Sequence, residues 1–232
     1  MLFYFVTPSY AIPSREEPLL EASTFSLKLG QIAGLMGPSG VGKSTFLKIV
    51  SGVDPLGKAL VTTPDNRQIP CQEAGFGYIP QTPLLLPWKT VKQNVSLALR
   101  KKSDRETVVE KALDGLGLLP FKNLYPHEIS LGMASRVAFA RELVRGAKVI
   151  FMDEPFASWD PRLKSQAIHD LSDLVHRLNM CVLFATHSGY EAMTLAQDIF
   201  VLKGRPATLE KLSTLEKDQD WNPPLSDIFF LT

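Results

Sequence analysis

Residues 37–44 read Gly-Pro-Ser-Gly-Val-Gly-Lys-Ser and match the pattern G-x-x-x-x-G-K-[ST], which few chains contain by chance. Glycine lets the backbone bend so that successive N–H groups point into one concavity, where they can hold an anion. An apolar run at 32–36 precedes this loop, and a helical pattern at 44–50 follows it. A phosphate-binding loop between a strand and a helix predicts an α/β fold with a parallel sheet.

The loop offers specific contacts to a nucleoside triphosphate. Lys43 can reach the β- and γ-phosphates as a point charge, and Ser44 offers a hydroxyl to Mg²⁺. Because the chain has no N-K-x-D guanine motif, we expect ATP rather than GTP. The residues predicted to bind ATP at this loop are Gly37, Pro38, Ser39, Gly40, Val41, Gly42, Lys43, Ser44 and Thr45.

Two further apolar runs end in polar side chains that suit the same chemistry. The run at 149–152 ends in Asp153, expected to hold Mg²⁺ directly or through water, and in Glu154, a candidate general base for the attacking water. The run at 181–185 leads to His187, which could contact the γ-phosphate or that water. In an open α/β sheet the carboxyl ends of the strands lie beside the phosphate loop, so these residues are predicted to converge.

The remaining pattern predicts the overall organisation. Runs at 2–6 and 24–29 indicate strands, and turn signals across 53–80 suggest short antiparallel strands. Helix-length segments fill approximately 84–145, and an amphipathic helix is predicted at 162–178. We therefore predict one α/β domain over 1–232. It has a parallel-sheet core, an N-terminal antiparallel β region and an inserted α-helical subdomain.

Composition excludes several classes of protein. With 25 basic and 24 acidic residues the net charge is +1, which argues against a dedicated nucleic-acid binder. A hydrophobic fraction of 45% excludes intrinsic disorder as the main state. No apolar run approaches the length of a membrane span, and the N-terminal MLFYFV does not resemble a signal peptide. Cys71 and Cys181 lie far apart and indicate reduced thiols in a cytosolic setting. If the protein acts at a membrane, another chain must supply the spans.

Several short motifs in one order give the chain a family resemblance. After GPSGVGKS come Gln81, the tetrapeptide Ser-Leu-Gly-Met at 130–133, the strand VIFMDEP, Asp160 within Ser-Trp-Asp, and His187. In this series the chain resembles the ATP-binding subunits of ABC (ATP-binding cassette) transporters over almost its whole length. The stretch from Tyr78 to Val95, with LLPW after the glutamine, is similar to importers of nitrate, sulfonates and taurine, as is the run at 196–206.

The resemblance implies roles for matching residues. Gln81 would sense Mg²⁺ and the membrane subunit, Ser130 and Gly132 would cap the γ-phosphate held by an opposing subunit, Asp160 would cross the dimer interface, and His187 would act as the switch histidine. The resemblance also implies that the α/β core is a P-loop NTPase (RecA-like) core. It further implies a cassette dimer, homomeric or heteromeric, that is peripheral at the cytoplasmic face of the membrane. The other partners would be an integral-membrane permease and, for an importer, a solute-binding protein, with no nucleic acid.

Tyr10 is the candidate for the aromatic residue that stacks on adenine, with a simple packing role as the alternative. Three positions depart from the family pattern. Leu131 replaces the middle glycine of the signature loop, Ser135 stands where glutamine is common, and Trp159 replaces leucine. Glycine tolerates backbone angles that a branched side chain resists and permits close approach of a phosphate. The half of the site offered to a partner is therefore expected to be weakened.

The leading hypothesis is an ATP-hydrolysing subunit that drives uptake of a small solute. One alternative is a nucleotide-binding regulatory subunit that hydrolyses poorly because of Leu131. Another is a non-transport ABC ATPase that acts on nucleic acid or as a scaffold, which the near-zero charge and the Pro87-Trp88 stretch disfavour.

Overall fold

A computed structural model describes residues 1–12, 17–99, 105–157 and 161–212. Asp160 and Trp159 therefore lie outside the described residues. The α-helices are α1 (Lys43–Val50), α2 (Val91–Ser96), α3 (Arg105–Asp114), α4 (Leu131–Arg145), α5 (Pro161–Arg177) and α6 (Gly189–Leu195). The strands are β1 (Leu2–Thr7), β2 (Ser23–Lys28), β3 (Ile32–Met36), β4 (Leu60–Thr62), β5 (Gln68–Pro70), β6 (Gly77–Ile79), β7 (Val149–Asp153), β8 (Cys181–Ala185), β9 (Asp198–Lys203) and β10 (Thr208–Leu212).

The central sheet has the strand order β10-β9-β3-β8-β7-β6. All pairs are parallel except the edge pair of β10 with β9. Every residue of β3, β7 and β8 is buried, as expected for strands covered on both faces. The α/β prediction with a parallel core is confirmed.

A second, antiparallel sheet has the order β2-β1-β4-β5. Along β1, Phe3 and Phe5 are buried while Leu2 and Tyr4 face solvent, the alternation of a half-buried strand. The prediction of antiparallel strands across 53–80 is correct for β4 and β5 and wrong for β6. That strand lies parallel to β7 in the central sheet, where buried Ile79 pairs in register with Met152.

A cluster of phenylalanine rings joins the two sheets to α1. The rings of Phe5 and Phe25 stack with their centroids 4.6 Å apart, and Phe5 meets Phe151 of the central sheet edge-on at 5.9 Å. Phe46 of α1 packs against Phe25 at 5.5 Å. This packing fixes the helix that follows the glycine-rich loop between the antiparallel sheet and the central sheet.

Helices α2, α3 and α4 have a hydrophobic cluster of their own, which includes Val91, Val95, Val109, Leu113, Leu118, Val137 and Ala140. The boundaries of a helical subdomain at approximately 84 and 145 remain a prediction. Among the described residues no helix is both long enough and apolar enough to cross a lipid bilayer.

Candidate functional site

The carboxyl ends of four neighbouring strands carry the predicted site residues. In the order β3-β8-β7-β6, these strands run parallel and end at the same edge of the sheet. The glycine-rich loop follows β3, His187 follows β8, Glu154 follows β7, and Gln81 follows β6. The predicted convergence therefore has a topological basis, since adjacent parallel strands deliver their following residues to one place.

Two glycines of the loop are required by its geometry. Gly37 has a φ of 151°, and a Cβ atom there would lie 2.5 Å from the carbonyl oxygen of Leu202 on β9. Gly42 has a φ of 112° and is the N-cap of α1. An L-residue with a side chain rarely adopts these angles, so the loop needs glycine at both positions.

Lys43 is folded back over this loop. Its Nζ donates to the carbonyl oxygens of Gly37 at 2.8 Å and Pro38 at 3.2 Å, and the residue is only 9% exposed. Burial lowers the pKa of the Lys43 ammonium, while the negative charges of Glu154 and Asp153 act in the opposite direction. The Lys43 ammonium is thus held at the loop by uncharged carbonyl oxygens. Phosphate oxygens carry negative charge and would form stronger hydrogen bonds with it.

Asp153 is the last residue of β7 and is buried. The hydroxyl of Tyr78 on neighbouring β6 is buried close to its carboxylate, and burial together with the Asp153 charge raises the pKa of that phenol. Within the described residues this hydroxyl has no hydrogen bond of standard geometry. No sequence motif predicts a role for the Tyr78 hydroxyl, because a strand pattern does not tell which face of the strand will meet an acid.

Glu154 and His187 are in direct contact. The Nδ1 atom of His187 lies 3.1 and 3.0 Å from the two carboxylate oxygens of Glu154. Glu154 has a φ of 48°, a left-handed conformation uncommon for residues other than glycine, and its N–H donates to Ala185 at 3.0 Å. The glutamate side chain is 13% exposed and the histidine side chain 68% exposed, so the pair opens to solvent on the histidine side. Strained backbone of this kind clusters at functional sites.

The family model described as ABC transporter matches residues 20–157, more than half of the chain. The chain belongs to the ABC transporter family. Membership confirms the resemblance and the prediction of an ATP-binding, ATP-hydrolysing cassette.

Relatives of this ABC protein include importer subunits. It is 35% identical over 202 residues to the nitrate import ATP-binding protein NrtD of Synechocystis, covering 85% of this chain and 76% of that protein. It is 36% identical over 200 residues to the aliphatic sulfonates import ATP-binding protein SsuB 1 of Pseudomonas aeruginosa, covering 83% and 79%. A solved structure, the dimeric bacterial ABC transporter cassette MJ0796, matches with a TM-score of 0.73 and 26% identity over 93% of this chain and all of the other.

The signature loop of this ABC protein forms the start of α4. Ser130 is the N-cap, and its Oγ accepts a hydrogen bond from the N–H of Met133 at 3.2 Å. Leu131 lies in the first turn with its side chain 43% exposed, and its backbone has no positive φ. The expected backbone conflict at Leu131 is therefore wrong, because a helical N1 position suits leucine. What remains is the bulk of its side chain beside Gly132.

Tyr10 and Asp160 remain predictions. The Tyr10 ring is buried, and its hydroxyl donates to Asp54 Oδ2 at 2.8 Å, a bond that raises the pKa of the phenol. Its backbone pairs with Leu20, whose Cδ2 lies beside Gly42 of the loop. The buried ring would have to become exposed to stack on a base. Asp160 lies outside the described residues.

Proposed function

We propose that this chain is the ATP-binding and ATP-hydrolysing subunit of an ABC importer, which energises a separate permease for nitrate, a sulfonate, taurine or a similar small solute. One observation carries the proposal. Lys43, Asp153 and the Glu154–His187 pair converge on the phosphate loop at one edge of the sheet. The import functions in the names of the relatives support the direction of transport and the class of solute.

Nucleotide binding follows from the loop. Its N–H groups and the N-terminus of α1 are positioned to surround the phosphates, and Lys43 would exchange its carbonyl partners for the β- and γ-phosphate oxygens. Ser44 and Gln81, both exposed, and the carboxylate of Asp153 would supply oxygen ligands of the hard kind that Mg²⁺ prefers. When bound, the ion neutralises charge on the phosphate oxygens.

Hydrolysis requires a proton acceptor and a group that orients the attacking water. Glu154 would accept the proton of the water, since its carboxylate lies at the sheet edge beside Lys43 and contacts His187. His187, now bonded to Glu154, would turn toward the γ-phosphate when nucleotide binds. Water attacks the γ-phosphorus, the bond to the β-γ bridging oxygen breaks, and ADP and phosphate leave.

We also propose a head-to-tail dimer. Ser130 and Gly132 lie at the start of α4, a helix that packs mainly against α2, α3 and β6 of its own chain. In the opposing subunit they would cap a γ-phosphate bound elsewhere, as Asp160 would line the interface. The dimeric cassette among the structural neighbours supports this arrangement. The assembly would be peripheral at the cytoplasmic face of the membrane, with a solute-binding protein as a further partner.

The proposed function is tested with purified protein and a co-expressed candidate permease. Calorimetry should detect ATP binding in the presence of Mg²⁺, and phosphate release should rise when the permease and a transported solute are present. Nitrate, an alkylsulfonate and taurine are the first solutes to compare. An empty phosphate loop at millimolar ATP would overturn the proposal.

A surface after Gln81 suits permease docking. Leu84 and Trp88 are 68% and 70% exposed, although both are large and apolar. Buried Asn94 fixes this turn, since its side chain accepts from the N–H of Leu86 at 2.8 Å and donates to the carbonyl of Lys89 at 2.9 Å. The turn is therefore held rigidly with its apolar side chains outward, as expected of a docking surface.

Trp88→Ser should weaken permease binding by about 2 kcal/mol, roughly 30-fold in affinity, because exposed tryptophans that become buried dominate interfaces. Copurification with the permease measures the loss, and Leu84→Ser should act in the same direction. Leu178→Ser is the matched control, because this exposed leucine follows α5 at the opposite edge of the sheet. Equal retention of the permease by all three variants would contradict the assignment.

Leu131 favours a second candidate function, a regulatory subunit with weak hydrolysis. Its exposed side chain occupies the face of α4 where a partner's phosphate would approach. Leu131→Gly should raise the kcat of the dimer about tenfold or more, since close approach restores electrostatic stabilisation of the transition state. Leu131→Ala, which keeps helix propensity, should give a similar gain in steady-state phosphate release. If neither variant gains activity, Leu131 does not limit turnover.

A further inference from the structure

A buried hydrogen-bonded cluster lies directly behind His187. Thr186 is 0% exposed and Glu191 on α6 is 2% exposed. The Thr186 Oγ1 atom donates to Glu191 Oε2 at 2.6 Å, and the Nζ atom of Lys164 on α5 donates to Glu191 Oε1 at 2.8 Å. Both oxygens of one buried carboxylate are thus engaged by two other elements of the fold.

The same threonine hydroxyl closes the turn that carries the histidine. Besides donating to Glu191, Thr186 Oγ1 accepts a hydrogen bond from the N–H of Ser188 at 3.0 Å. The Ser188 hydroxyl in turn caps α6 by accepting from the N–H of Glu191 at 3.3 Å. Because Thr186 and Ser188 flank His187, the loop is pinned on both sides and the imidazole alone projects.

This cluster is better suited to orientation than to stability. A buried ion pair contributes little net stability, because desolvation of the two charges offsets their attraction. A fully satisfied polar network does, however, fix one geometry among several. Here the geometry that is fixed is the backbone turn from which the His187 ring projects.

We propose that Thr186 and Glu191 are positioning residues that hold His187 in line with the γ-phosphate, and that Lys164 links this support to α5. The inference rests on the proposed ATP hydrolysis. It assigns to the cluster no contact with nucleotide, so its loss should lower kcat and leave the affinity for ATP unchanged.

Thr186→Val keeps the shape of the side chain and removes the hydroxyl. We expect kcat to fall about tenfold, because small misplacement of a catalytic group is costly, with an unchanged Kd for ATP. Thr186→Ser should restore most of the rate. Thr7→Val is the matched control, since Thr7 is also buried and its hydroxyl donates to the Ser23 carbonyl in the antiparallel sheet. Thr7→Val should keep the wild-type kcat even if loss of this hydrogen bond lowers its thermal midpoint.

A double-mutant cycle separates positioning from general damage. In a His187→Ala background the added Thr186→Val change should lower single-turnover hydrolysis less than about twofold, since no ring is left to orient. Lys164→Met should likewise lower single-turnover hydrolysis less in the His187→Ala background than in the wild type. Losses that multiply in the double variants would overturn the proposal.

A measurement without turnover gives a second test. The chain has four histidines, so nitrogen-15 spectra of the imidazoles are simple, and the His187 signal is assigned by its absence in His187→Ala. Thr186→Val should shift the His187 ring signals and leave those of His127 in place. Unchanged His187 signals would refute the role of Thr186 even if ATP hydrolysis is normal. Absence of ATP hydrolysis in the wild-type protein would instead refute the proposed function.

Discussion

Glu154→Gln is expected to abolish ATP hydrolysis while ATP still binds. Glutamine has the shape of the carboxylate but cannot accept the proton of the attacking water, and loss of a general base costs about 10²- to 10⁴-fold in kcat. It also removes a negative charge near the γ-phosphate, so the Kd for ATP should stay equal or fall. Replacing Glu154 tests the proposed mechanism most directly, because its carboxylate also contacts His187 Nδ1 at 3.0 Å.

The experiment compares phosphate release with calorimetric binding for the same preparation. Glu210→Gln on β10 is the matched control, because Glu210 forms an exposed ion pair with Lys203 that contributes little to stability. Its kcat should equal that of the wild type. Turnover retained by Glu154→Gln would place the proton acceptor at another residue.

Lys43→Met should lower the affinity for ATP by about 10- to 150-fold, since hydrogen bonds to charged groups contribute about 1.5–3 kcal/mol. Methionine keeps the apolar stem and loses the ammonium. Because burial lowers the pKa of the lysine, the folded state without nucleotide disfavours the charge. The thermal midpoint of the nucleotide-free variant should therefore stay the same or rise.

A lower affinity for ATP together with an unchanged or higher thermal midpoint would show that Lys43→Met removes a contact with ATP. A misfolded loop would lower both quantities. Lys48→Met on the same helix is the control, since Lys48 is exposed and should leave the Kd for ATP unchanged. A fall in the thermal midpoint of Lys43→Met would show that its bonds to Gly37 and Pro38 support the fold.

The sequence predicted some elements of the fold more accurately than others. The strands β3 and β8 begin and end as their apolar runs predict, and α1 begins one residue earlier than predicted. The strands β3 and β8 are continuous apolar runs in which every residue is buried, so their pattern is unambiguous. By contrast, β9 and β10 were not predicted, and the three-residue β6 was expected to be antiparallel. The partner of a strand is decided by packing against distant residues and not by its own sequence.

The same division applies to the site. Lys43, Asp153, Glu154 and His187 were predicted from local motifs, and the structure brings them to one sheet edge. Their roles, and those of Gln81, Ser130 and Gly132, stay predictions. Thr186 and Glu191 were not predicted to support His187, because threonine followed by a glutamate on a short helix is an ordinary sequence.

By itself, the sequence determined the phosphate loop, the acids after one strand and the histidine after another, because backbone bending and strand burial depend on neighbouring residues. Only the tertiary structure decided that β8 lies between β3 and β7, which places His187 against Glu154. Tertiary packing alone also buried Glu191 between Lys164 and Thr186. The contacts of His187 with Glu154 and of Lys164 with Glu191 span 33 and 27 residues of the chain, so no local pattern encodes them.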